Sequence, residues 1–180
     1  MNVNIYSPYY IQQRYGGYSP CIEGNNAHGL LPFPGSVLPN CAGWATGRFN
    51  EILGLNACTF LGSTDAMYFM NFCRTQGLMS GMTPQVGACM VWDESYVGQT
   101  RIEGHVAIVE QVLSATSVKT SESHWNATSL PLVEERTRNY GNGNWGYNAT
   151  FLGFIYLPFT PAPVDRDSEM PIWLMLRYGL

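Results

Sequence analysis

Two helices followed by a run of strands, the order of an α+β domain, is what this sequence predicts. Three observations carry that reading. The stretch NCAGWATGRFNEILG at Asn40–Gly54 has legible helix boundaries and begins at a cysteine. A second helical repeat, AMYFMNFCRTQG, follows the cap cluster Ser63-Thr64-Asp65. From Gly87 onward the apolar runs become short or alternate with period two, as strands do.

Asn40 is a good N-cap, because its side-chain oxygen can accept a backbone N–H of the first turn, and Gly54 stands where a helix commonly stops. At roughly 100° per residue, Cys41, Ala45, Arg48 and Ile52 fall on one stripe, flanked by Trp44 and Phe49, with Thr46 and Asn50 opposite. Cys41 thus tops the buried face. A thiol there feels the positive end of the helix dipole, worth about 0.3–1 kcal/mol toward thiolate, so a nearby cation must do the rest. Arg48, two turns below, is expected to anchor the helix through a buried carboxylate.

In the second helix Ala66, Phe69, Met70 and Cys73 repeat at helical spacing before Gly77 ends the run. Met82–Val86 reads as a connector, and GACMVW at Gly87–Trp92 as a short buried strand. After Gly104, HVAIVEQVL places His105, Ala107 and Val109 on one strand face and Val106 and Ile108 on the other. Val118–Trp125 alternates so that Val118, Thr120, Glu122 and His124 share a face against Lys119, Ser121 and Ser123. Leu132–Tyr140 reads as a strand carrying charge outward, Gly141–Gly146 as a turn, and Phe151–Leu157 as the last strand. Residues 1–39, rich in Tyr, Gly, Pro and Asn, read as a loop or extended arm. A linker from Pro158 precedes an apolar tail, Met170–Leu180, which either docks back on the domain or begins a further module. Trp44, Trp92 and Phe154 read as core, whereas Trp125, Tyr15, Tyr18 and Trp145 lie in polar or Gly-rich stretches suited to lining a groove.

At 180 residues and 46% hydrophobic content, one domain with a proper core is expected. A net charge of −4 leaves no basic stripe to neutralise phosphates, which argues against nucleic acid as a partner. The first twenty residues lack a basic region followed by an apolar one, and no run of about 20 apolar residues occurs, so neither an export signal nor a membrane span is expected. The five cysteines, Cys21, Cys41, Cys58, Cys73 and Cys89, are odd in number and irregular in spacing, which predicts free thiols. Of these Cys58, Cys73 and Cys89 read as small core residues. Three dispersed histidines without HExxH or CxxC spacing supply no zinc ligand set, and no metal or other cofactor is expected.

Nucleophilic cysteine catalysis needs a thiol, a base that becomes its counter-ion, a group that orients the base, and donors for an oxyanion. The chain offers each. Cys41 sits at a helix start, His105 at the mouth of a strand can take the thiol proton, and Glu122 or His124 can hold the imidazole. The backbone N–H of Cys41 is one natural oxyanion donor, since a helix's first turn leaves its N–H groups unpaired.

These pieces in this order resemble the CHAP family, the cysteine, histidine-dependent amidohydrolases/peptidases of bacterial cell walls, and especially the catalytic domains of phage endolysins. The matching stretches are YGGYSPCIEG at Tyr15–Gly24, LPNCAGWATGRFNEILG at Leu38–Gly54, GACMVW, GHVAIVE at Gly104–Glu110, SESHWN at Ser121–Asn126 and GFIYLP at Gly153–Pro158. The resemblance implies a papain-like (NlpC/P60-type) fold over residues 1–160, with an antiparallel sheet packed on the Cys41 helix and residues 161–180 as linker and tail. It implies Cys41 as nucleophile, His105 as base and then acid, and Glu122 as the orienting residue. The substrate it implies is peptidoglycan, cut at the muramoyl–L-alanine amide or at a peptide bond, by an enzyme made in a host cytoplasm. A monomer is the favoured state. Two rivals keep the same chain: a catalytically silent wall-binding module, and an amidase acting on a small peptide-like metabolite. Two departures from the family pattern stand out. His124 occupies a position usually held by Asn, and Gly87-Ala88 replaces a usual Gly-Asp. Residues 22–40 hold only Glu23 as an acid, so the calcium loop of some related endolysins is not expected.

Overall fold

The protein is described from a computed structural model. The structure describes residues 10–12, 36–54, 61, 65–93, 103–124, 132–139 and 149–158. Two short strands, β1 (Tyr10–Gln12) and β2 (Ser36–Leu38), pair in parallel and lead into helix α1 (Cys41–Leu53). A single 3-10 turn at Ala66–Tyr68 runs into helix α2 (Phe69–Thr75). Among the described residues six further strands follow: β3 (Ser80–Gly81), β4 (Cys89–Asp93), β5 (His105–Ser114), β6 (Ser117–Glu122), β7 (Glu134–Asn139) and β8 (Thr150–Ile155). They form one antiparallel sheet in the order β3-β8-β4-β5-β6-β7.

The caps of α1 are those read from the sequence. Asn40 accepts from the Gly43 amide at 3.1 Å, and Gly54 closes the helix at φ 66°, where a Cβ is unwelcome. The stripe reading needs two corrections. Thr46 and Asn50, expected opposite the core, are buried, because the far side of the helix is covered too. There Trp44 packs with Tyr10 and Leu38 of the β1–β2 ribbon and with Leu132 and Val133. Ile52, expected on the buried stripe, is 37% exposed in the last turn. Helix α1 is therefore enclosed between a sheet and a ribbon.

Strict alternation divides the sheet between two cores. Cys89, Val91, Val106, Ile108 and Ile155 pack under α1 and α2 with Ala45, Phe49, Phe69 and Cys73. Met90, Trp92, Ala107, Val109, Val118 and Phe154 fill the other side. Trp44, Trp92 and Phe154 are core as expected, and so are Cys73 and Cys89, both free thiols. Burial pushes the Cys73 thiol up to about 12, which keeps it an apolar filler. Cys21 and Cys58 lie outside the described residues, as do the linker and tail.

Arg48 takes the anchoring role expected of it. Its Nε and Nη2 donate to the two carboxylate oxygens of Glu110 on β5, each at 3.0 Å, and its Nη1 donates to Glu51 at 2.7 Å. Ser121 and Tyr10 donate to the same two carboxylates, and the Trp44 indole donates to Ser121. This network rivets α1 to β5, β6 and β1.

Candidate active site

Cys41 is the first residue of α1 and is only half-buried. Its position is tied to β6 through the backbone. The Asn40 amide donates to Ser123 Oγ at 3.2 Å, and Ser123 donates in turn to the Leu132 carbonyl at 2.7 Å. The residue before the thiol is thus held by the residue after Glu122.

His105 opens β5, directly after Gly104, whose φ of 76° turns the chain into the strand. A side chain at Gly104 has no room: a Cβ would stand 2.5 Å from the Met67 amide nitrogen and 2.8 Å from the Trp92 carbonyl oxygen. The glycine lets the 3-10 turn lie against the strand entrance, where the Met67 amide donates to the Glu103 carbonyl at 3.1 Å. His105 is only 3% exposed and lies against Trp92, ring centroids 5.7 Å apart.

The imidazole bridges two groups. One side makes a hydrogen bond with the Cys41 side chain. On the other, Nε2 lies 3.0 Å from Glu122 Oε2, leaving Nδ1 as the nitrogen for the thiol. Burial by itself would lower the basicity of this ring. The hydrogen bonds to Cys41 and Glu122 outweigh it, with their negative charge, and raise His105 from 6.5 to about 9.

Glu122 is fully buried at the end of β6. Thr120 donates to its Oε1 at 2.7 Å, Arg138 Nε donates to the same oxygen at 3.0 Å, and Arg138 Nη2 donates to Oε2. Burial pushes this carboxyl up, but His105 and Arg138 together hold it well below the usual carboxylate range. Of the two candidates, Glu122 is the one hydrogen-bonded to the His105 imidazole.

Arg138 corrects the sequence reading of β7. The run was expected to carry its charge outward, yet Arg138 is 3% exposed and its guanidinium carbon lies 5.4 Å from the centroid of the Trp92 ring. Its register partner on β6 is Val118, so the long side chain runs along β6 to reach Glu122. The signal available in the sequence was the period-two placement of Glu134, Arg136 and Arg138 on one face.

His124 stacks on His105, with centroids 5.0 Å apart and planes 13° from parallel. Its Nε2 is engaged with Glu134 Oε1 at 2.8 Å. Burial and the neighbouring His105 charge lower its proton affinity, against the pull of Glu122 and Glu134. The groove candidates Tyr15, Tyr18, Trp125 and Trp145 lie outside the described residues.

His105, Glu122 and His124 place ligand-type atoms within 4.8 Å of one another, the one such group of three among the described residues. The arrangement suits a metal poorly. A ring nitrogen's lone pair lies in the ring plane, so two nearly parallel imidazoles cannot both aim at one ion between them. The carboxylate is also occupied by a guanidinium.

Residues 33–124 match the family model of the CHAP domain. The chain belongs to the CHAP family. The match contains Cys41, His105, Glu122 and His124, and the papain-like α+β architecture expected of a CHAP domain is the one observed. A solved structure of N-acetylmuramoyl-L-alanine amidase from Staphylococcus aureus is similar at 28% identity, covering 56% of this chain with a TM-score of 0.44. The CHAP chain spans 27% of that structure's length. No curated protein matches it. Among the described residues no helix is long and apolar enough to cross a membrane.

Proposed function

We propose that this chain is a cysteine amidohydrolase/peptidase that hydrolyses an amide bond in bacterial peptidoglycan. The observation that carries the reading is the His105 imidazole, buried between the Cys41 thiol and the Glu122 carboxylate. In this reading His105 Nδ1 takes the thiol proton and Cys41 Sγ attacks the amide carbon. The oxyanion rests on the Cys41 backbone N–H, a first-turn amide at the positive end of α1. His105 then returns the proton to the leaving nitrogen, the C–N bond breaks, and a thioester to Cys41 remains. Water attacks the thioester, giving its proton to Nδ1, and the thiol leaves with that proton as the carboxylic product departs. Glu122 holds Nε2–H throughout, so Nδ1 faces the reaction. No cofactor takes part in these steps.

Membership of the CHAP family supports the substrate class, and the motifs at Leu38–Gly54 and Gly104–Glu110 support an endolysin-type catalytic domain within residues 1–160. The bond is the muramoyl–L-alanine amide or a peptide bond of the stem or cross-bridge. With a net charge of −4, the chain alone is expected to lyse intact cells slowly from outside; rapid clearing at nanomolar dose speaks against that.

The test is mass spectrometry of fragments released from purified peptidoglycan by the wild type and Cys41→Ala. New termini that fall by at least roughly 10³-fold in the variant support nucleophilic cysteine catalysis, and their masses name the bond. If neither protein releases fragments while both bind the wall, the silent binding module replaces this reading.

A further inference from the structure

The steps above give Arg138 no task, yet Arg138 and Glu122 make the most completely buried arginine–carboxylate pair among the described residues. Their charges do not balance within the triad alone. Once the thiol proton has moved to His105, the imidazolium stands between two anions, the Cys41 thiolate and the Glu122 carboxylate. The buried set then carries one net negative charge. After His105 passes its proton to the leaving nitrogen the difficulty changes form. The imidazole is neutral, and a fully buried carboxylate beside it would have no cation of its own. Such a carboxylate takes up a proton from water and then donates to His105 Nε2, 3.0 Å away. With Nε2 accepting, the imidazole's single proton moves to Nδ1, the wrong tautomer, which is unable to receive a proton from water.

We propose that Arg138 is a positioning residue that keeps Glu122 an anion while His105 is neutral, and thereby holds Nδ1 ready for thioester hydrolysis. The inference rests on the reading of Cys41, His105 and Glu122 given above. Its geometry is that of a permanent charge. Arg138 meets both carboxylate oxygens, through Nε and Nη2, and its guanidinium lies over the face of Trp92, which also contacts His105. Among the described residues the other groups facing Glu122 are Thr120 on its own strand, a neutral donor, His105 from β5, whose charge comes and goes in the cycle, and His124, a nitrogen of which lies within 4.8 Å of the carboxylate. Around His105 stand Cys41 from α1 and, stacked on it, His124 with its partner Glu134 from β7, which Arg136 also holds. A guanidinium stays charged at every pH of interest.

The experiment reads the dyad without a substrate. The rate of Cys41 alkylation by iodoacetamide is followed against pH, with Cys41 resolved from the other thiols by peptide mass spectrometry. Arg138→Gln is expected to move the acid-side fall-off upward by about one pH unit or more, because Glu122 then protonates earlier and releases the imidazolium. Glu122→Gln moves it the same way, and adding Arg138→Gln to Glu122→Gln changes nothing further. With peptidoglycan, Arg138→Gln lowers kcat and not KM and accumulates the thioester on Cys41; Arg138→Lys, which keeps the charge, recovers part of the loss. A folded Arg138→Gln variant whose alkylation profile overlays the wild type overturns the proposal, as do additive effects in the double variant. If Arg138→Gln does not fold, Arg138→Lys and the wild type decide the matter. The wild-type Glu122 carboxyl carbon resonance must show no protonation step between about pH 5 and 9; a step of the size that protonation of a carboxylate gives overturns the proposal. An alkylation shift in a protein that cuts no peptidoglycan upholds this inference and removes the proposed function instead.

Discussion

Two buried arginines each clasp a buried glutamate with two hydrogen bonds, and they lie in one small domain. Arg48 grips Glu110 and Arg138 grips Glu122. The difference lies in what else the carboxylate touches. Glu110 is joined by Ser121, and through it by the Trp44 indole, all groups that are never asked to change charge. Glu122 is joined by His105, which touches the thiol. The same ion pair is thus a rivet at one place and, in the proposed function, part of a proton-handling site at the other. Burial alone does not distinguish a functional charge pair from a structural one; the titrating neighbour does.

Mutations sharpen this contrast, and the largest effect is expected at the site. Cys41→Ala abolishes turnover by roughly 10³-fold or more while leaving the melting temperature near that of the wild type, as differential scanning calorimetry beside the fragment assay will report. Arg48→Met does the reverse. Breaking that pair leaves Glu110 buried without its cation, at about 3–5 kcal/mol, or a Tm lower by about 2–4 °C for each kcal/mol, with turnover per folded molecule retained. A large drop in turnover of the folded Arg48→Met fraction would erase the distinction drawn between the two pairs.

Gly104→Ala falls between these extremes, since it affects fold and site together. Strain at the positive φ and the contact with Met67 cost about 1–3 kcal/mol, and a shift of His105 by even 1 Å lowers kcat by about 10²-fold. Chemical denaturation and steady-state kinetics on the same preparation separate the two losses.

Stability should also follow pH in a way that separates the pairs. His105 binds its proton more tightly folded, at about 9, than unfolded. That stabilisation is complete below the unfolded value of about 6.5 and is lost as the pH rises through 9. His124 has the opposite sign: with its proton affinity lowered, it favours the fold above the ordinary histidine range and ceases to as the pH falls. Urea midpoints from pH 5 to 10 are expected to peak near neutrality, and His105→Gln to remove the alkaline decline. The smallest effect belongs to His124→Asn, which removes the ring that opposes the His105 charge in acid. Its turnover at neutral pH should stay within about tenfold of the wild type, under ~1.4 kcal/mol, while a larger share of activity survives near pH 5.5.

The sequence made the rivet easier to foresee than the clasp on Glu122. Asn40 and Gly54 bound a helix by local chemistry, and the spacing from Cys41 to Arg48 follows from the helical period. Glu122 and His124 could be placed on one face because a strand alternates, and both do face His105. Arg138 escaped because EERTRN reads as a solvated strand, and its burial depends on register against β6. Register is a long-range property with no local mark. Thr46 and Asn50 were misplaced for a related reason: the stripe reading allowed α1 one covering layer, whereas the ribbon from residues 10–12 and 36–38 supplies a second.

That second layer bears on how the molecule fails. A helix covered on one side can fray from its neighbours while the rest of the fold persists, but α1 is clasped on both. Heat or denaturant then has no partial route to the proposed nucleophile: Cys41 should lose its place only when the sheet and ribbon come apart, so the proposed activity and the fold should share one clock.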